Sequence, residues 1–258
     1  MSVCPHEDCR PPHRGTGLAA AAAFALVGAL AALSCDGSRS PTGPATPARQ
    51  ELTLELTSAN FRLQYSEPSA GVVAGYIAAL EANLPRVLED HGVTLTARIV
   101  GRLYPDRAAF NATTGFIGSG AAIGPNFFYL AAIPYAPSDA VHEMAHCVTY
   151  HLAPNAGGDP VWLWESIAVY EARELVPPSS IPDLVAGRFP TLAELNDFSH
   201  RPSIYQVGYT ICEFIVEQWG WDAVRRLVVS RGDLGSTLGL TTAEFEARWR
   251  RFVEQRYL

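Results

Sequence analysis

The sequence predicts an α+β fold, because segments with strand and helix patterns alternate at first and only helix patterns follow. Residues 51–65 and 93–103 partly alternate between apolar and polar side chains, which is typical of strands. Residues 126–133 are apolar and aromatic and predict a third strand. Beyond them the pattern is mainly helical. Strands mixed with helices, followed by a run of helices, indicate an α+β arrangement.

The helices and loops of the first half are read from apolar spacing and from proline and glycine. Apolar residues recur at helical intervals through residues 69–90, where Pro85 is expected to kink or divide the helix. Residues 105–112 predict a short helix opened by a proline. Residues 115–124 are glycine-rich and are expected to form a loop.

Helix signals dominate the second half. Pro137 to Asp139 supply a helix start, with Ser138 or Asp139 as the cap. Residues 205–220 predict a long helix, and residues 241–257 predict a charged amphipathic helix that opens in capping-box style.

Composition limits the classes of function. The chain has 258 residues, of which 48% are hydrophobic and 17% charged, enough for one sizeable core. Its formal net charge is −7, and its Lys and Arg residues form no dense stripe. Nucleic acid is therefore not an expected partner.

The N-terminal residues 1–35 have the pattern of a signal peptide, with an apolar run of about 16 residues from Leu18 to Leu33. The residues up to Cys35 resemble a bacterial lipobox, which implies a lipidated cysteine and a membrane anchor, although Ala32 stands where such signals usually carry Leu. Ordinary secretion and a retained membrane helix are the alternatives. Residues 36–50 predict a flexible tether rich in Ser, Pro, Thr and Gly. All three interpretations place residues 51–258 outside the cytoplasm.

Two cysteines belong to the predicted folded region, Cys147 and Cys212. In an oxidising compartment they could form a disulfide. Both lie in predicted helices on an apolar background, so two buried free thiols are equally compatible with the sequence.

The residues that carry chemistry begin with His142-Glu143-Met144-Ala145-His146. Two histidines four residues apart on a helix lie on one face, one turn apart, so both imidazoles can reach one metal ion. Glu143 lies beside them, where it can reach a water. The flanking residues are apolar, which predicts a buried helix, and two unpaired buried histidines would be unfavourable without a ligand.

A carboxylate in a later apolar segment completes the predicted site. Eighteen residues separate His146 from Glu165, which is expected at the start of an amphipathic helix. A buried carboxylate needs a partner, and a zinc ion is a good one. Two His and one Glu leave a fourth position open, as in catalytic zinc sites.

With these motifs the chain resembles the gluzincins, zinc metallopeptidases with H-E-x-x-H and a downstream Glu. It is similar in particular to bacterial peptidase MA-like domains, whose P-x-W-L-x-E-G-x-A-x-Y segment corresponds here to PVWLWESIAVY. Ser166 replaces the usual Gly. The resemblance spans residues 51–258 and implies a zincin-like fold, in which a small mixed sheet with helices and an active-site helix precede a mainly helical C-terminal lobe.

The resemblance also implies roles for individual residues. One Zn²⁺ is expected on His142, His146 and Glu165, with Glu143 as general base for hydrolysis of a peptide or protein substrate. Tyr205 is the first candidate for stabilising the oxyanion. Tyr209 and His200 are the alternatives.

Other parts of the site stay open at this level. The strand at 126–133 is expected either to be an edge strand that pairs with an extended substrate or to be an ordinary core strand. Glu171 and Glu174 are candidate partners for the second nitrogen of a ligating histidine, although solvated helix positions are expected for both. His151 points off the ligand face and is expected at the surface or as a cap.

Two other functions compete with a peptidase. One is a lipid-anchored binding or assembly protein that keeps zinc but turns over little. The other is a zinc hydrolase of a non-peptide amide, such as a cell-wall linkage. Glu143 argues against the first, because a purely structural zinc has no need of a base.

Overall fold

The computed structural model describes residues 50–155 and 157–258 and has the predicted α+β architecture. The expected signal peptide, the lipidated Cys35 and the tether up to residue 49 lie outside these residues. Within the two described ranges, every helix is too short or too polar to cross a membrane.

One mixed sheet of five strands forms the N-terminal half, in the order β1-β2-β3-β5-β4. The outer pairs β1–β2 and β5–β4 are antiparallel, whereas β3 runs parallel to both β2 and β5. The strands are β1 Leu54–Thr57, β2 Phe61–Tyr65, β3 Ile99–Tyr104, β4 Gly120–Gly124 and β5 Phe127–Ala131. The segment predicted at 51–65 is therefore a hairpin, and the strand predicted at 93–103 begins only at Ile99.

The glycine-rich segment was predicted to be a loop, and this is wrong for its second half. Gly120–Gly124 forms β4, which pairs with β5 through partners such as Gly120 with Leu130. Because β5 has β3 on its other side, β5 is an interior strand, and β4 is the edge strand instead. Pairing with a neighbouring strand outweighs the low strand propensity of glycine and alanine, which residue composition alone does not reveal.

Helices pack on the sheet and then form the C-terminal half. They are α1 Ala70–His91, α2 Arg107–Thr114, α3 Pro137–Tyr150, α4 Val161–Glu171, α5 Pro182–Val185, α6 Ile204–Val229, α7 Leu234–Leu238 and α8 Thr242–Tyr257. The expected division of α1 at Pro85 is absent, because Leu84 and Val87 are buried on either side and their packing holds the helix together. Gly220 interrupts α6 with a φ of 73°, at the end predicted for that helix.

Two apolar cores meet at α4. One lies between the sheet, α1 and α3, and the other lies among α4, α6 and α8. Ala168 packs into the first core, while Leu163 and Ile167 pack into the second. The helix is thus buried nearly all round and is not the amphipathic helix predicted to begin at Glu165. It begins at Val161, and Glu165 lies in its second turn.

Helices α4 and α6 approach closely where Ser166 replaces the glycine of the similar domains. The Ser166 hydroxyl donates a hydrogen bond to the Leu163 carbonyl at 3.0 Å. A Cβ atom on Gly208 of α6 would lie 3.1 Å from the Ser166 Cα atom. Gly208 therefore supplies the room that the serine takes up.

A buried ionic cluster joins α1 to α4. Arg86 pairs with the Glu171 carboxylate and donates a hydrogen bond to the Glu171 carbonyl at 2.6 Å. His91 Nδ1 lies 3.8 Å from Glu171 Oε1. Glu171 was expected to be solvated, and this is wrong, because its side chain is fully buried. The C-terminal end of α4 faces α1 rather than solvent.

We predict that this cluster makes stability depend on pH. Burial and the nearby Asp90 raise the pKa of Glu171 to about 7 from 4.5, against the opposing effects of Arg86 and Arg173. Because the folded pKa is the higher one, the contribution is complete below 4.5 and is lost as the pH rises through 7. Relative to Glu171→Gln, the wild-type chain should lose about 2 kcal/mol of unfolding free energy between about pH 5 and 8.

Urea unfolding of both proteins at several pH values measures this difference. His91 and Arg86 are present in both proteins, so the comparison isolates Glu171. A difference that stays constant over the pH range would contradict the prediction.

Candidate metal centre

Helix α3 brings the two histidines together as their spacing predicts. It begins at Pro137, whose fixed φ suits a first helical position. The rings of His142 and His146 lie 4.8 Å apart between centroids, and both residues are buried. Two imidazoles therefore face one point from successive turns of one helix.

Glu165 of α4 faces both imidazoles. Its Oε2 atom lies 3.2 Å from His142 Nε2, and its Oε1 atom lies 3.6 Å from His146 Nε2. One donor atom from each of the three residues lies within 4.8 Å of the others. Ligands at zinc-like bond lengths are about 3.3–3.6 Å apart in a tetrahedron. The donor set and its spacing fit a single metal ion.

The second nitrogen of His142 has a carboxylate partner. His142 Nδ1 donates a hydrogen bond to Glu174 Oε2 at 3.2 Å, which leaves Nε2 free to face Glu165. Ligating histidines are commonly held by such a bond. The expectation that Glu174 is a solvated position is therefore wrong.

The end of α4 places Glu174 beside His142. Arg173 has a φ of 60°, the left-handed conformation that ends many helices. The amide of Glu174 donates to the Val169 carbonyl at 3.0 Å, and that of Arg173 donates to the Tyr170 carbonyl at 3.1 Å, which is a Schellman motif. The Arg173 side chain also hydrogen-bonds Tyr209, so this turn is held by α6.

Glu143 lies next to these donors, against the edge strand. The Ala122 amide donates a hydrogen bond to its carboxylate, whereas Oε2 has no hydrogen-bond partner among the residues placed by the structure. A Cβ atom on Gly120 would collide with the carboxylate. Burial raises the pKa of Glu143 to about 8. Its shifted pKa and its position in a cleft mark Glu143 as a candidate for proton transfer.

The protonation of the three donors follows from their surroundings. Burial lowers the pKa of His142, but hydrogen bonds to Glu165 and Glu174 outweigh burial and leave it well above 6.5. The pKa of His146 is lowered, mainly by burial. Burial raises the pKa of Glu165, but both histidines outweigh burial, so its pKa lies below 4.5 and it is ionised.

A cleft runs along α3 and the edge strand and passes over the three donors. At one end, a cavity of about 500 Å³ is lined by charged side chains, including Arg107, Asp139 and Glu174. At the other end, a cavity of about 330 Å³ is lined by aromatic side chains, including Tyr150 and Trp164. The two cavities share His142, Glu143 and Tyr205, so they form one continuous cleft over the site.

The three candidates for oxyanion stabilisation occupy different places. Tyr205 lines both cavities, and its ring lies 6.1 Å from that of His142. Tyr209 packs against Tyr170 at 5.0 Å and holds Arg173, so it serves the turn described above. His200 lines neither cavity. The geometry brings Tyr205 alone of the three to the cleft.

The remaining residues singled out in the sequence have structural positions. Cys147 and Cys212 are buried free thiols, so the disulfide alternative is wrong. His151 is the C-cap residue of α3, as one expectation had it. Neither cysteine belongs to the group of three donor residues.

Several residues of the cleft escaped the sequence analysis. Phe198 stacks on Tyr205, with ring centroids 6.0 Å apart and an interplanar angle of 20°. Gly120 contributes to the site only because its strand, β4, passes close to Glu143. Nothing in the local sequence signals either contact, since Gly120 and Glu143 lie in different elements and the Phe198 stack depends on the path of the chain before α6.

A scan against protein-family models and a search of curated proteins each find no match for this chain. The resemblance to gluzincins therefore stays a prediction from the two motifs. What the structure establishes is a buried group of His142, His146 and Glu165 that could hold a metal ion.

We predict that Glu174 strengthens metal binding through His142. Replacing Glu174 with Gln removes the charge of the hydrogen-bond acceptor, and replacing it with Ala removes the bond. Changes to such partners typically weaken metal affinity about 10- to 100-fold. Glu174→Ala should show the larger loss, measured by competition with a chromogenic chelator.

Glu89 provides a matched control, because it is an exposed glutamate on α1. Glu89→Ala should bind metal like the wild type. Equal affinity of Glu174→Ala and wild type would show that the bond to His142 has no role in metal binding.

Proposed function

We propose that the protein is a zinc-dependent peptidase. The observation that carries the proposal is the convergence of two imidazole nitrogens and one carboxylate in a cleft, with Glu143 beside them, whose Oε2 atom has no hydrogen-bond partner among the described residues. A structural metal site does not need a neighbouring base. A hydrolytic site does.

The donor set supports zinc as the metal. Two histidines and one glutamate are the protein ligands of a well-known class of catalytic zinc sites, and three ligands leave a fourth position open. A site made of oxygen ligands alone would instead suit calcium or magnesium.

A zinc ion held by His142, His146 and Glu165 would supply Lewis-acid chemistry, lowering the pKa of a water and polarising a peptide carbonyl. Glu143 is the group that accepts the proton of the attacking water, and it then delivers the proton to the leaving amine. The Ala122 amide and the close passage of Gly120 hold its carboxylate in place. The base is thus aligned by the edge strand.

Tyr205 is the donor for the negative charge that develops on the carbonyl oxygen. Burial and the nearby Glu165 raise the pKa of its hydroxyl above 10, so the hydroxyl keeps its proton and can donate a hydrogen bond. Phe198 stacks on the ring from the outer side. The tyrosine is thereby supported at the cleft although it is partly exposed.

The outer edge of β4 supports an extended peptide as the substrate. Strand β4 pairs only with β5 within the part of the chain that the structure describes, so its other edge can accept a further strand, apart from the Ala122 amide that is bonded to Glu143. Addition of a strand to such an edge is a general mode of peptide recognition. The substrate that we propose is therefore a peptide or an unfolded protein segment, acted on outside the cytoplasm by a chain anchored through Cys35.

We predict that Glu143→Gln abolishes cleavage without removing zinc. Loss of a general base typically lowers the rate about 10²- to 10⁴-fold. Wild-type and variant chains should each contain one zinc, measured by atomic emission, and only the wild type should cleave a peptide library. Zinc with no peptide cleavage by the wild type would contradict a peptidase. Turnover of cell-wall fragments would then indicate the amide hydrolase, and no turnover at all would indicate a binding protein.

We also predict that Tyr205→Phe lowers kcat about 10²- to 10³-fold and changes KM little, since the hydroxyl acts mainly in the transition state. Tyr209→Phe is the comparison, one turn along the same helix, and should lower kcat much less, since Tyr209 bonds Arg173 and lines neither cavity. Steady-state kinetics on one cleaved peptide decides between them. A larger fall in kcat for Tyr209→Phe than for Tyr205→Phe would show that the assignment to Tyr205 is wrong.

A further inference from the structure

The two histidines of the candidate centre are held in different ways. His142 donates its Nδ1 hydrogen to Glu174, as ligating histidines commonly do. His146 Nδ1 is buried and has no hydrogen-bond partner in residues 50–155 and 157–258. Packing must therefore hold the side of the ring that faces away from Glu165.

The packing partner is Trp164, which lies one residue before Glu165. The indole and imidazole rings are stacked, with centroids 5.4 Å apart and an interplanar angle of 10°. Trp164 is itself held on its edge by Tyr150, at 4.8 Å and 71°. Only 7% of Trp164 is exposed, so the indole has little freedom to move away.

A parallel ring at this position limits rotation of the imidazole, because turning the ring would drive its edge into the indole face. The indole face also has a negative electrostatic potential and attracts positive charge. An imidazole bound to a metal cation is more positive than a free one. The stack therefore favours both the orientation and the ligated form of His146.

We propose that Trp164 is a positioning residue that holds His146 ready to bind the metal, in place of the hydrogen-bond partner that His142 has. The inference rests on metal binding as part of the proposed function, and does not depend on the identity of the substrate.

Zinc affinity of the full chain tests the proposal, measured by chelator competition on the wild type, Trp164→Leu and Trp164→Phe. Trp164→Leu removes the aromatic face and should weaken zinc binding about 10- to 100-fold, the usual effect of losing a partner of a ligating histidine. Trp164→Phe keeps a face and should restore the affinity to within a few-fold of wild type.

Trp162→Phe is the matched control, because Trp162 lies two residues earlier in the same helix and packs against Phe245 in the helical core. This variant should bind zinc like the wild type. Circular dichroism establishes that each variant is folded before its affinity is interpreted.

The visible spectrum of bound Co²⁺ adds a readout that general destabilisation would not move, since the intensity of its bands depends on coordination geometry. The spectrum should change in Trp164→Leu and stay the same in Trp164→Phe and Trp162→Phe. Wild-type affinity and spectrum in folded Trp164→Leu, or equal losses in Trp164→Leu and Trp164→Phe, would overturn the proposal.

These outcomes are separate from those for the peptidase. If the wild type binds zinc but cleaves no peptide, the peptidase proposal is wrong. The zinc affinities of the Trp164 variants still decide the role of Trp164. A folded wild type that binds no zinc removes both proposals.

Discussion

The contact between the Glu165 carboxylate and the two imidazoles is the constraint on which this structure depends. Burial of an ionised carboxylate is strongly unfavourable unless positive or polar groups surround it. Both of its oxygens face histidines of α3, at 3.2 and 3.6 Å. These contacts fix how α4 lies against α3, and with it the position of everything that α4 carries.

The position of helix α4 matters to the whole fold because this helix contributes residues to both apolar cores. One side packs with the sheet and α1, and the other packs with the helices that follow. Its start contributes Trp164 and Glu165 to the centre, and its Schellman turn contributes Glu174. A single short helix thus supplies a donor, the stacking partner of one histidine and the hydrogen-bond partner of the other.

The parts of this arrangement that a sequence can predict are those set by local spacing. The interval from His142 to His146 implies a shared face, and an acidic residue in the apolar run around Glu165 implies a buried partner. The position of Glu174 depends on a left-handed residue, Arg173, that is not glycine and is held by another helix, so local patterns give no signal for it.

Strand order in the sheet is likewise not predictable from local sequence patterns. Apart from Ile123, residues 120–124 are glycine and alanine, and they form a strand by pairing with β5. The identity of the edge strand follows from strand order, which is a long-range property. The sequence therefore left residues 126–133 open between an edge strand and a core strand, and the structure shows an interior strand. The close contact of Gly120 with Glu143 is a further consequence of this placement.

The most direct test of the central claim is a crystal structure of the chain grown with zinc, with anomalous diffraction recorded at the zinc absorption edge. The account predicts one strong peak at about 2.0–2.2 Å from His142 Nε2, His146 Nε2 and a Glu165 oxygen. A folded chain without a peak at these three residues, or with its peak elsewhere, would show that they do not bind zinc together.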